Sequence, residues 1–223
     1  MTGSISRDGV DLRSTLAPIR DQGQRPTCVA FAVTAAHEAF RSDPSLIDDL
    51  SEEALYWGCK CTDGNEISGT YFSSAAIAIG RWGQPLETEW PYEPLRPLGI
   101  AYVPPTQAGG KGWYKSALRK ISVLPNEIHK CIEDGVPVVL GLRIFDTFFH
   151  PDSAGHISNP QPGVRHHGLH AVLVVGFLES ELLIRNSWGI TWALGGYAWI
   201  SDTYLRDHAS EAWVIDDVAS LID

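Results

Sequence analysis

Asp21-Gln22-Gly23-Gln24-Arg25-Pro26-Thr27-Cys28-Val29 is the stretch on which the fold turns. Pro26-Thr27 suits a helix entry, and Val29, Val33, Ala36 and Phe40 follow at helical spacing, so Cys28 is expected in the first turn of a helix. Unpaired N–H groups and the positive end of the helix dipole there favour a thiolate over a thiol. A thiolate nucleophile also needs a neighbour that takes its proton, and that imidazole needs a third group to hold one tautomer. Two distant segments, Leu169-His170-Ala171-Val172 and Arg185-Asn186-Ser187-Trp188-Gly189, supply these partners. Cys28, His170 and Asn186 fit the roles of nucleophile, base and orienting amide, and Gln22 can donate an N–H to an oxyanion.

The order Gln22, Cys28, His170, Asn186, with Ser187-Trp188-Gly189 after the last member, resembles the papain-like cysteine peptidases. His170 lies 142 residues after Cys28, within the family's usual separation of about 130–150, and Asn186 lies slightly beyond it at 158. Leu50-Ser51-Glu52-Glu53-Ala54-Leu55, Trp90-Pro91-Tyr92 and Gly195-Gly196-Tyr197 resemble further family segments in the right order. The resemblance implies an α+β, papain-like fold forming one catalytic domain over residues 1–223. Its helical lobe, about 10–105, carries Cys28, and a β-rich, barrel-like lobe, 106–223, carries His170 and Asn186, with the site in the cleft between. It also implies that Asn186 accepts the Nδ1 hydrogen of His170, that Trp188 shields that bond, and that Gln22 and the Cys28 N–H stabilise the oxyanion. Gly69 and Trp188 are the candidate substrate-binding positions.

Departures from the family pattern are equally specific. Arg25 stands where the family has a disulfide cysteine, Val29 replaces the aromatic after the nucleophile, and only Gly69 aligns from the usual glycine-rich strip. Cys59 resembles a half-cystine whose partner position Arg25 occupies, so that disulfide is not expected. Substrate preference does not carry over from the family.

Composition narrows the function classes. The 223 residues are 44% hydrophobic and 20% charged, with a formal net charge of −10 and no basic cluster, which disfavours nucleic-acid binding. No run of about 18 apolar residues offers a membrane span. The N-terminal residues lack a charged and apolar leader pattern, and with the unpaired Cys59 this points to a reducing, cytoplasmic setting. Only nine residues precede Val10-Asp11-Leu12-Arg13, which resembles a mature enzyme's start. Restraint by an inhibitory or regulatory protein partner, by occlusion of the cleft, or by narrow specificity for one intracellular target is therefore expected.

Further helices are expected over Glu52 to Trp57, Tyr71 to Trp82 and Asn126 to Asp134, and strands over Val136–Leu142, His170–Phe177, Leu182–Arg185 and Tyr197–Ile200. The Pro- and Gly-rich segment from Pro94 to Gly112 reads as the crossing between lobes. The stretch from Phe145 to Leu169 reads as an irregular loop, too turn-rich for core, that contacts substrate. His166 and His170 are four apart, but the context is not helical, so no metal site is expected, and thioester chemistry needs no cofactor. The expected activity is hydrolysis of peptide or protein substrates. The same thioester could instead be captured by an amine in a transpeptidase, cyclase or maturation enzyme, and a silent peptide-binding module is a third possibility.

Overall fold

Apolar residues on both sides of successive strands in the C-terminal half create one sheet buried on two faces. The computed structural model describes residues 9–41, 49–64, 68–96, 104 and 113–217. The elements run β1 (Val10–Asp11), α1 (Cys28–Arg41), α2 (Glu52–Asp63), α3 (Phe72–Arg81), β2 (Ala117–Ile121), α4 (Pro125–Glu133), β3 (Val138–Ile144), α5 (Asp146–Phe149), β4 (His156–Ile157), β5 (Gly168–Leu178), β6 (Glu181–Arg185), β7 (Tyr197–Ser201), α6 (Asp202–His208) and β8 (Ala209–Asp216). A 3₁₀ turn at Arg13–Thr15 follows β1.

Among the described residues the strands order as β2-β8-β3-β5-β6-β7-β4, with β1 pairing on β5. The architecture is α+β, as expected, but the sheet is an open path and not a closed barrel. Its ends explain this: β4 is a two-residue strand paired parallel to β7, and β2 exposes Arg119 and Lys120, charges that oppose further pairing at an edge.

β5 shows why the region folds as it does. Ala171, Leu173 and Val175 join the core formed with α1, α2 and α3 on one face, while Val172 and Val174 join the core on the opposite face. A continuous apolar run results because neither face meets water. α1 lies against β5, with Ala30, Val33 and Ala36 almost fully buried, and this packing carries the first turn of α1 to the strand that begins near His170.

The expected helices are present with small shifts. α2 continues six residues past Trp57, capped by Ser51 Oγ accepting from the Ala54 N–H at 3.0 Å. β3 starts two residues later than expected. Most of the expected crossing segment, residues 97–103 and 105–112, lies outside the described residues. The 145–169 stretch departs from expectation, because it contributes to the core: α5 buries Phe148 completely and β4 buries Ile157. The apolar surface offered by Trp188, Trp192 and His170 supplies a partner for Phe148 that local turn composition does not reveal.

Gly176 sits at an irregularity in the β5–β6 register, where β1 approaches. A Cβ there would come within 2.5 Å of the Val10 carbonyl oxygen, a backbone atom with no rotamer to yield. Gly176→Ala is expected to destabilise the fold by about 1–3 kcal/mol. At about 2–4 °C per kcal/mol for a chain of this size, calorimetry will show a lowered melting midpoint.

Candidate active site

Cys28 is the first residue of α1, and Thr27 ahead of it is engaged elsewhere, with its hydroxyl 2.9 Å from Tyr92 Oη. Burial alone pushes the Cys28 thiol up. A side-chain hydrogen bond with His170, the His170 charge, and hydrogen bonds from the Ala171 and Val29 backbone more than offset this, and the net displacement is downward. The other three thiols move the opposite way: burial raises Cys59 to about 12, and also raises Cys61 and Cys131. All four cysteines are free. Cys28 is thus distinguished from the rest by its surroundings, as a thiol held toward its nucleophilic form.

His170, on β5, is 6% exposed. Its Nε2 lies 2.7 Å from Asn186 Oδ1, and that oxygen also accepts from the Ser187 N–H at 2.8 Å. The second contact marks the atom as the carbonyl oxygen, so Nε2 is the ring nitrogen that donates. This corrects the expectation that Nδ1 would face Asn186. Nδ1 is the ring nitrogen nearer the main chain, and Cys28 lies close to that main chain, accepting from the Ala171 N–H. Asn186, which follows β6, is reached by the outer nitrogen.

Aromatic rings cover this pair. Trp188 is tilted over the His170 ring at 4.8 Å between centroids, Phe149 stacks on Trp188 at 5.4 Å, and Phe148 meets both His170 and Trp188 edge-on. Such a roof excludes water from the Nε2–Asn186 hydrogen bond, which strengthens it. His167 and His166 do not converge on His170. His167 Nε2 lies 2.7 Å from Asp146 Oδ1, and His166 packs against Phe145.

Gln22 is buried and held at four atoms, with its own N–H donating to the Ser187 carbonyl at 2.9 Å. Its Nε2 donates to the Arg25 carbonyl at 2.8 Å, its Oε1 accepts from Ser187 Oγ at 2.6 Å, and its own carbonyl accepts from Tyr92 Oη at 2.8 Å. One amide hydrogen of Gln22 is used by Arg25, and the amide has a second to offer. Reasoning from sequence anticipated Gln22, but missed Arg25, Tyr92 and Ser187 as the groups that hold it. Gln22 and Tyr92 are 70 residues apart, a separation that no periodicity can report.

Beside Cys28 lies a cleft of about 270 Å³. Pro26, Val29, Tyr71, Phe72 and Leu169 make it largely apolar, with Glu211 at its lining. Gly69 lines it too, with φ at +83°, a conformation that glycine adopts without steric cost, and its carbonyl accepts from Lys60 Nζ at 2.9 Å. Trp188 is not among the residues lining this cleft, and packs on the His170 ring.

The family model "Papain family cysteine protease" matches residues 6–212. The chain belongs to the papain family of cysteine proteases. Among papain-family relatives, it is 27% identical to an uncharacterised peptidase C1-like protein of Acanthamoeba polyphaga mimivirus, over 96% of this chain and 74% of that protein. It is 29% identical to cathepsin Q of Rattus norvegicus, over 80% of this chain and 53% of that protein. The chain thus spans about half the length of the latter. Xylellain, a cysteine protease from Xylella fastidiosa, superposes with a TM-score of 0.83 at 26% identity, over 94% of this chain and 85% of that one. A Carica candamarcensis cysteine protease, solved in complex with E-64, shares the fold at 23% identity and a TM-score of 0.73, over 94% of this chain and 98% of that one.

Proposed function

We propose that this papain-family protease hydrolyses peptide bonds of protein or peptide substrates through a thioester on Cys28. The observation that carries the reading is that Cys28 and His170 line one cleft, that His170 draws the Cys28 thiol down, and that His170 Nε2 lies 2.7 Å from Asn186 Oδ1. The Cys28 thiolate attacks the scissile carbonyl, and the oxyanion receives hydrogen bonds from the Gln22 amide and the Cys28 N–H. His170 passes its proton to the leaving amine as the C–N bond breaks. It then takes a proton from water, whose oxygen attacks the thioester. The C–S bond breaks, the acid product leaves, and the expelled Cys28 thiolate beside the protonated His170 restores the starting pair. Asn186 orients the imidazole throughout. The cleft's apolar lining supports binding of a bulky apolar substrate side chain next to the cut bond, and four free thiols support work in a reducing compartment.

The test is product mass after incubation with a panel of peptides. Hydrolysis adds one water across the cut bond, whereas capture of the acyl group by a peptide amine gives a ligated product with no water added. Ligated products dominating over acids would overturn the hydrolase reading. Gln22→Ala is expected to lower kcat by about 10²–10³-fold, as loss of one oxyanion donor does elsewhere.

A further inference from the structure

We propose that Arg25 is a positioning residue for this reaction, clamping the loop between Gln22 and Cys28 so that the Gln22 amide is aimed at the oxyanion. The inference rests on the reading of Gln22 as an oxyanion donor. Arg25 is only 4% exposed and its partner, Glu53 in the first turn of α2, is fully buried. The guanidinium bridges both carboxylate oxygens, Nη1 to Oε2 at 2.5 Å and Nη2 to Oε1 at 3.1 Å, and Nη1 also donates to the Glu93 carbonyl at 2.9 Å. Its plane is flanked by the rings of Tyr92, 4.8 Å away, and Tyr56, 5.4 Å away. Arg96 Nε approaches the same Glu53 carboxylate at 3.1 Å.

This clamp acts on the site through the main chain. The Arg25 carbonyl accepts from Gln22 Nε2 at 2.8 Å and from the Thr27 N–H at 2.8 Å. That one carbonyl therefore sets the direction of the Gln22 amide. Where the Arg25 main chain goes, the second hydrogen of Gln22 follows. A rigid, forked and stacked guanidinium fixes that main chain in a way that the single point charge of lysine does not. Misplacement of a catalytic group by about 1 Å is enough to cost on the order of 10²-fold in rate.

The experiment is a kinetic cycle of Arg25→Met and Arg25→Lys, each in the parent and in a Gln22→Ala background, with Cys28 alkylation by iodoacetamide measured on every variant. Arg25→Met is expected to lower kcat by about 10–100-fold with little change in KM. Arg25→Lys should fall in between. In the Gln22→Ala background the Arg25→Met effect should shrink to about twofold or less, because the donor it aims has gone. Alkylation at pH 6, which uses the thiolate but no oxyanion donor, should stay near the parent rate. An equal loss of kcat in both backgrounds would overturn the inference, and so would a fall in alkylation parallel to kcat. Undiminished kcat in Gln22→Ala alone would remove the oxyanion role and the inference with it. If Arg25→Met does not fold, Arg25→Lys and Glu53→Gln carry the same cycle.

Discussion

His170→Ala is expected to lower kcat for peptide hydrolysis by about 10⁴–10⁶-fold, as removal of one member of a nucleophile–base unit does in other hydrolases. It should also change the pH dependence of Cys28 alkylation. In the parent, burial raises the thiol while His170 and two backbone N–H groups lower it further than burial raises it. Alkylation by iodoacetamide therefore persists on the acid side of the ordinary thiol value, and fails only as pH falls through the lowered one. Without His170, burial remains and its main opponent is gone, so the thiol moves back up from its lowered position. The variant's rate at pH 6 should fall clearly below the parent's, with the modified site identified by peptide mass. A rate unchanged at pH 6 would mean that the helix N-terminus alone activates the thiol. Cys59, held protonated by complete burial, serves as the unreactive internal control.

Arg20→Met should have the largest effect on stability. Arg20 reaches Glu52 at 2.5 Å and Glu38 at 2.8 Å and pairs with Asp49, and both glutamates are nearly fully buried. Arg20, Glu38, Glu52 and Arg185 line a cavity of about 20 Å³ together with Asn186 and Ser187, so this ionic cluster lies directly under the proposed site. At alkaline pH, where Glu38 and Glu52 ionise, removing one partner of a buried pair costs about 3–5 kcal/mol because the remaining charge is left in a poor solvent. The melting midpoint should drop by roughly 6–20 °C.

The same cluster sets a pH dependence. Burial pushes the Glu38 carboxyl up to about 7 and Glu52 up to about 8, against the pull of Arg20. Unfolded glutamates release their protons near about 4.3. Between these values the folded state holds more protons on Glu38 and Glu52 than the unfolded one, so the stability these two groups contribute is fully present below about pH 4.3 and is lost as pH rises toward 8. A lower midpoint at pH 8 than at pH 5 is the expected result for the parent. Arg20→Met should widen the gap, since the carboxylates then ionise without a cation, and Glu38→Gln combined with Glu52→Gln should flatten it. A slope unaffected by both glutamine substitutions would show that other groups control it.

Much of this molecule is legible in its sequence. Helical spacing after Cys28 located α1, and the unbroken apolar run after His170 located β5, because period and burial are local properties of the chain. β2 and β8 were not anticipated. β8 mixes Ser210 and Glu211 with apolar residues yet sits between β2 and β3, and its pairing depends on partners about 70 to 100 residues away. α5 was hidden inside a turn-rich stretch, since Phe148 becomes core only through Trp188 and Trp192.

The sequence by itself determined which groups are on offer: one thiol at the head of a helix, one imidazole opening a buried strand, and an amide in Asn186-Ser187-Trp188-Gly189. Those are statements about residue type and local pattern, which a linear reading contains. The tertiary structure alone decided which imidazole nitrogen meets Asn186, which thiol is lowered while the others are raised, and that an arginine in a disulfide cysteine's place is clamped to Glu53. Directions, solvent exclusion and the pairing of buried charges arise only when segments far apart in the chain are packed together.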